Sequence, residues 1–207
     1  MITPKVWRVG AIAALLVLGG CSEDVPNEPV TEELSYHSLP DSCDPILAQV
    51  REPITEFLSD LLNPAVPGTL GEEKSARSTT APPNAIECGV DRARLQTDPS
   101  APVRDLSRWV DITFQLSTGP MHRPSGAVPV PLLGDSAYQD TSPLAGLDGA
   151  VSKVAFRVRN LDVKVTAAGG NLGPSTPAVA DRAKTTAMTI ATELEEHIDD
   201  LMPYPTK

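Results

Sequence analysis

Two short runs of alternating residues, separated by Arg159-Asn160, constrain this chain more than anything else in it. Residues 152–158 set Val154, Phe156 and Val158 on one side and Lys153 and Arg157 on the other. Residues 161–166 repeat the pattern, with Leu161, Val163 and Val165 opposed by Asp162 and Lys164. Side chains alternate with a period of two along a strand, so each run has one apolar face. With Arg159-Asn160 as a two-residue turn, Val158 opposes Leu161, Phe156 opposes Val163 and Val154 opposes Val165. All six then share one face. Arg157 falls across from Asp162 on the other face, a pairing worth about 0.2–1 kcal/mol. A slip of one residue would turn one strand's apolar set into water, so the register is strongly specified. Asn160 suits the turn because asparagine tolerates a positive φ.

Two further runs widen this hairpin into a sheet. Residues 86–95 carry Ile86, Cys88 and Val90, and residues 109–117 alternate Val110, Ile112, Phe114 and Leu116 with Asp111, Thr113 and Gln115. Helical spacing flanks the strands. Asp44 as N-cap and Pro45 as first helical residue open a stripe of Ile46, Leu47, Val50, Ile54, Phe57, Leu58 and Leu61. Pro53 interrupts that stripe, which predicts a kink or two short helices. Thr176-Pro177 opens a second helix, with Ala180, Ala183, Ala187, Ile190, Ala191, Leu194, Ile198 and Leu201 on one face. Alanines in its first half let it lie close to its partner surface. Glu193, Glu195, Glu196, Asp199 and Asp200 crowd its far end, where carboxylates oppose the macrodipole. They read as a solvated face or as a hint of a cation or basic partner. Together these elements predict an α+β fold: a twisted antiparallel sheet of four to six strands, with an N-terminal helix and a long C-terminal helix on one face.

The beginning of the chain reads as an address. Lys5 and Arg8 precede an apolar run from Val9 to Leu18, and Gly19-Gly20-Cys21 follows. A basic start, a short apolar centre and small residues before a cut make a secretory signal. A Cys after Leu-Gly-Gly makes it a bacterial lipoprotein signal, with the Cys21 thiol as the site of diacylglycerol attachment. The run is too short to span a bilayer, which takes about 20 residues. Residues 1–21 are thus expected to be a leader and 22–41 a flexible acidic tether, proline-spotted and without apolar period. A single domain would fill 42–202 and a short tail 203–207. The expected location is the extracytoplasmic face of the cell membrane, held by lipid. The net charge is −10, and losing Lys5 and Arg8 with the leader takes it to about −12. That argues against a nucleic-acid partner or an anionic lipid surface recognised by electrostatics alone.

Cys43 and Cys88 pair with each other in this reading, which leaves Cys21 as the odd cysteine and the one lipidated. Closing about 46 residues removes roughly 4 kcal/mol of unfolded-state freedom in the chain-entropy model. Two isolated cysteines and three scattered histidines do not make a zinc pattern.

Cys43-Asp44 ahead of a helix, Cys88 opening a strand, and Arg159-Asn160-Leu161-Asp162-Val163 before an alanine-rich helix form a recognisable combination. Over residues 42–202 the chain resembles uncharacterised actinobacterial lipoproteins built as a Cys–Cys α/β domain. Those are similar in turn to the extracellular sensor domain of receptor serine/threonine kinases. Val90 stands where such chains commonly carry a Trp after the second Cys. The resemblance implies a twisted antiparallel sheet, helices on one face and a disulfide, and it implies no catalytic residues.

Motifs for chemistry are absent from the sequence: no nucleophile elbow, no H-E-x-x-H, no phosphate-cradling loop and no dinucleotide fingerprint. His37, His122 and His197 read as surface histidines, and Asp135, Asp140 and Asp148 lack the ligand spacing of a calcium loop. Neither metal nor cofactor is expected. Residues 63–85 read as a mobile surface loop. Residues 118–150 hold Val-Pro-Val-Pro-Leu-Leu within a long proline-rich connection, and such connections tend to be functional. This segment is expected to pack across the sheet or cover a groove. Trp109, Met121, Leu132, Leu133 and Tyr138 are the candidate ligand- or partner-binding residues. The expected function is a non-enzymatic, sensor-like or accessory binding module for an envelope protein, a glycan or a small apolar ligand. The alternative is a carrier of a small apolar ligand or lipid in a cavity between sheet and helices.

Overall fold

The structure is a computed structural model that describes residues 35–59, 69–70, 74–77, 84–95, 106–144, 149–170 and 176–203. The leader, Cys21, Leu61 and Asp148 therefore lie outside the described residues. The helices are α1 (Asp44–Gln49), α2 (Arg51–Ser59), α3 (Thr176–Glu196) and α4 (Ile198–Leu201). The strands are β1 (Thr69–Leu70), β2 (Lys74–Arg77), β3 (Ala85–Leu95), β4 (Leu106–Leu116), β5 (Val128–Pro129), β6 (Ser136–Pro143), β7 (Gly149–Val158) and β8 (Leu161–Gly170). The expected α+β class is what forms: one antiparallel sheet with helices against it. Five strands have eight residues or more, in the order β3-β4-β8-β7-β6, and three short strands extend the edges.

The sheet register follows from the alternation. Val158 pairs with Leu161, Phe156 with Val163 and Val154 with Val165, as the two-residue turn requires. Across the sheet, Ile86, Phe114, Val163, Phe156 and Ala137 form one row, and Cys88, Ile112, Val165, Val154 and Gln139 the next. All but Ala137 and Gln139 are buried apolar residues of one core, which identifies the inner face. Onto it α3 lays Ala183, Ala187, Ile190, Ala191 and Leu194, each with no exposed surface. Small side chains in the first half of that stripe bring the helix close to β7 and β8.

The N-terminal helix is divided, as Pro53 requires. Its ring nitrogen has no hydrogen to give the Gln49 carbonyl, so α1 stops at Gln49 and Pro53 falls in the first turn of α2, where it is tolerated. Ile46, Val50, Ile54, Phe57 and Leu58 are buried, and Leu47 partly so. The cap differs by one residue from the expected one: Cys43 is the N-cap and Asp44 the first helical residue, with no side-chain cap bond. A disulfide joins Cys43 to Cys88 with Cα atoms 5.5 Å apart, tying the start of α1 to the inner face of β3.

Four expectations change. Within residues 63–85, read as a mobile loop, β1 and β2 pair with β3. Within 118–150, Ser136–Pro143 joins the sheet as β6 beside β7 rather than packing across it. The ordered fold reaches back to residue 35, into the expected tether, because Tyr36 and Pro40 are buried and Leu39 packs on the core. Finally, the long C-terminal helix breaks at His197. There the His197 N–H bonds the Leu194 carbonyl and α4 begins. That break takes Asp199 and Asp200 off the end of α3 and into a separate single turn.

Candidate functional site

The turn between β7 and β8 gathers side chains from four parts of the chain. Arg159, not Asn160, takes the left-handed backbone there, with φ of 57°. Asn160 is occupied differently. Its amide oxygen accepts from the Tyr36 N–H at 2.8 Å, and its amide nitrogen donates to the Tyr36 carbonyl at 2.9 Å. The Tyr36 hydroxyl donates to Asp199, which also receives Arg159 at 2.8 Å and 3.3 Å. The Arg159 guanidinium lies 5.0 Å from the centre of the Tyr36 ring. These donors hold the Asp199 carboxyl below the usual carboxylate range, the Tyr36 bond first and Arg159 next. Burial, and then the bond to Asp199, push the Tyr36 phenol up. Asp199 thus has its basic partner within the chain.

On the outer face of the same end, Arg157 forks onto both oxygens of Asp162, at 2.6 Å and 2.7 Å. Its remaining terminal nitrogen donates to the Gly119 carbonyl at 2.5 Å. Ser117 N–H bonds the Asn160 carbonyl, and Asp135 N–H bonds the Arg157 carbonyl while its carboxylate accepts from Arg159 N–H. A groove of about 490 Å³ lies here, lined by Ser35, Ser117, Thr118, Gly119, Pro120, Arg157, Arg159 and Asn160.

Segment 117–135 is therefore pinned at both ends to one hairpin turn, and its interior is pinned too. Val130 N–H bonds the Ala137 carbonyl, Val128-Pro129 pair with β6, and Leu133 is buried in the core. Gly134 has φ of 56°, and a Cβ there would run into the Arg157 carbonyl. Leu132, between the buried Leu133 and Pro131, has φ of 66° and is 101% exposed; Val128 is 64% exposed. A leucine in the left-handed region carries backbone strain, and here that strain points an apolar side chain straight into solvent.

The five candidate binding residues do not converge. Leu132 projects into solvent while Leu133 faces the core, because the left-handed backbone at Leu132 turns the two side chains apart. Met121 is half-buried on the segment. Trp109 and Tyr138 both lie on the outer face of the sheet, but two strands and one row of outward side chains separate them. Between them run Asp111, Thr166 and Lys153 in one row. Burial, followed by repulsion from Glu87, raises the Asp111 carboxyl pKa. Sequence reasoning missed Tyr36 and Asn160's role toward it, and named Asp199 only among five acidic residues read as a solvated face or a hint of a cation or basic partner. Tyr36 was the available signal: a large aromatic in a stretch otherwise taken for solvated tether.

Among the described residues, no three His, Cys, Asp or Glu side chains gather as metal ligands, and no helix is long and apolar enough to cross a membrane. No protein-family model, curated protein or solved structure matches this chain.

Proposed function

We propose that this protein is an envelope lipoprotein, exported by its leader, acylated at Cys21, and acting by binding rather than by catalysis. One observation carries the reading. Segment 117–135 is fastened to the hairpin turn and the core, yet it presents Leu132 and Val128 to the outside. Apolar side chains held rigidly in solvent are suited to a partner surface, because little conformational freedom is lost on contact. Carriage of a ligand between sheet and helices is less favoured, since α3 sits close on β7 and β8 through fully buried alanines.

Two measurements test this. A photoactivatable residue at position 132, in cells, should give an envelope crosslink that the same residue at exposed position 192 does not. Metabolic labelling should place lipid on the wild type and not on Cys21→Ser. Equal crosslinking from both positions would remove the binding assignment.

A further inference from the structure

We propose that the partner of segment 117–135 is the lipid surface that carries the anchor, with Leu132 entering the headgroup region and Arg123 facing lipid phosphates. This rests on the acylation of Cys21 proposed above.

Three observations point the same way. First, the chain leading from Cys21 enters the fold at this end. The Tyr36 main chain is paired to Asn160 at the β7–β8 turn, and that turn also holds Ser117 and Asp135, the two ends of the segment. Thirteen residues lie between Cys21 and Ser35. A chain of that length reaches at most about 50 Å. The segment is therefore always within reach of the bilayer.

Second, the charge fits. The chain carries 27 Asp and Glu residues, yet none lies between Asp111 and Asp135. That window holds Arg123 and His122, both exposed. The nearest carboxylates at its ends are engaged within the fold, Asp135 by the Arg159 N–H and Asp162 by Arg157, so the loop's own free charge is basic and meets anionic headgroups without repulsion.

Third, the shape fits. Among the described residues, Val128 and Leu132 are the large hydrophobics that stand exposed, and both belong to this segment. Leu132 projects with its whole surface free, so it forms a knob and not a groove. A protein partner would have to supply a matching pocket, whereas lipid closes around any projecting side chain. Two apolar side chains are too few to hold a free domain on a membrane. A domain already leashed there needs only a small bias to choose which end faces the bilayer.

The test uses the full chain purified from membranes, with lipid on Cys21 checked by mass spectrometry, in vesicles of phosphatidylethanolamine and phosphatidylglycerol. An environment-sensitive fluorescent amino acid is placed at position 132 or, as control, at position 192. The expected result is a blue shift at 132 and several-fold stronger quenching by bromolipids there than at 192. The quenching of a reporter at Val128 should fall when Leu132→Asp or Arg123→Glu is added, and the 132 signal should weaken in pure phosphatidylcholine. An aqueous signal at 132 with lipid present on Cys21 would overturn the inference and leave the anchorage standing. A shift that requires added envelope protein overturns it in favour of a protein partner. Absence of lipid on Cys21 overturns the anchorage, and the inference with it.

Discussion

The side-chain amide of Asn160 pairs with both main-chain groups of Tyr36, imitating one rung of a strand ladder across 124 residues of sequence. Asn160→Ala leaves a partly buried N–H and carbonyl without this partner and should cost about 1–3 kcal/mol. Asn160→Asp should be at least as damaging, because a carboxylate cannot donate to the Tyr36 carbonyl. Urea unfolding measures the cost. Limited proteolysis should show earlier cleavage within residues 35–40 in both variants, and unchanged cleavage there would mean the pair does not hold the entering chain.

The disulfide closes a span of 45 residues, so its loss should lower stability by about 4 kcal/mol in the chain-entropy model. Cys88 is fully buried in the core. Cys43 is only partly buried, so reduction of the native protein should proceed by attack at the Cys43 sulfur and rise with the concentration of reductant. Denaturation of the Cys43→Ser, Cys88→Ser pair and thiol-release kinetics check the two statements separately.

Two carboxylates should give the pH dependence of stability opposite signs. Asp199 has a lowered pKa when folded, so its contribution is present above its unfolded pKa of about 3.9 and is lost as pH falls through the lower folded value. Asp199→Asn should flatten that acid limb. Asp111 has a raised pKa, so the folded state holds its proton more tightly, and stability is lost as pH rises from the unfolded value of about 3.9 through the higher folded one. Asp111→Asn should raise the melting temperature at pH 7, with the gain shrinking as pH approaches 4. A gain that persists at acid pH would show that its origin is not titration.

Arg157 and Asp162 face each other with 15% and 25% of their side-chain surface exposed. A double-mutant cycle with alanine at both positions should give a coupling of about 1 kcal/mol. Arg157→Lys should recover little of it, because an ammonium cannot fork onto Asp162 and reach the Gly119 carbonyl together.

Neighbouring positions in segment 117–135 should respond in opposite directions. Leu132→Gly relieves a left-handed leucine that buries nothing, and should leave stability unchanged or raise it slightly. Gly134→Ala forces a Cβ onto the Arg157 carbonyl and should cost about 3 kcal/mol or more. Melting temperatures of the two variants decide it.

The hairpin register, both helices and the disulfide were legible because each depends on a local pattern: alternation around a two-residue turn, a 3.6-residue stripe, or the last cysteines left to pair. Strand β6 was not legible. Its residues Ser136–Pro143 lack an apolar alternation, and only Gln139 among them is buried, donating to the Lys184 carbonyl. What makes it a strand is main-chain pairing to β7, and that is invisible until β7 is in place. The Tyr36–Asn160–Asp199 cluster was hidden for a related reason. Its members come from three distant places, and each alone reads as a surface residue. The stretch 118–150 was legible as a long proline-rich connection, but the split between Leu132 and Leu133 within it depends on a backbone angle that Leu-Leu does not announce.

The Tyr36 attachment also decides how the protein would bear a mechanical load. A pull arriving along the chain from its N-terminal side meets Tyr36 first, and Asn160 passes it to the turn between β7 and β8 at the middle of the sheet. Helices α1 and α2 feel nothing while that coupling holds. If it yields, only the short stretch to Cys43 pays out before the covalent bridge to Cys88 takes up the strain and transfers it to β3. The fold thus has a breakable link in series with an unbreakable one, and the second would engage before the first helix could unwind.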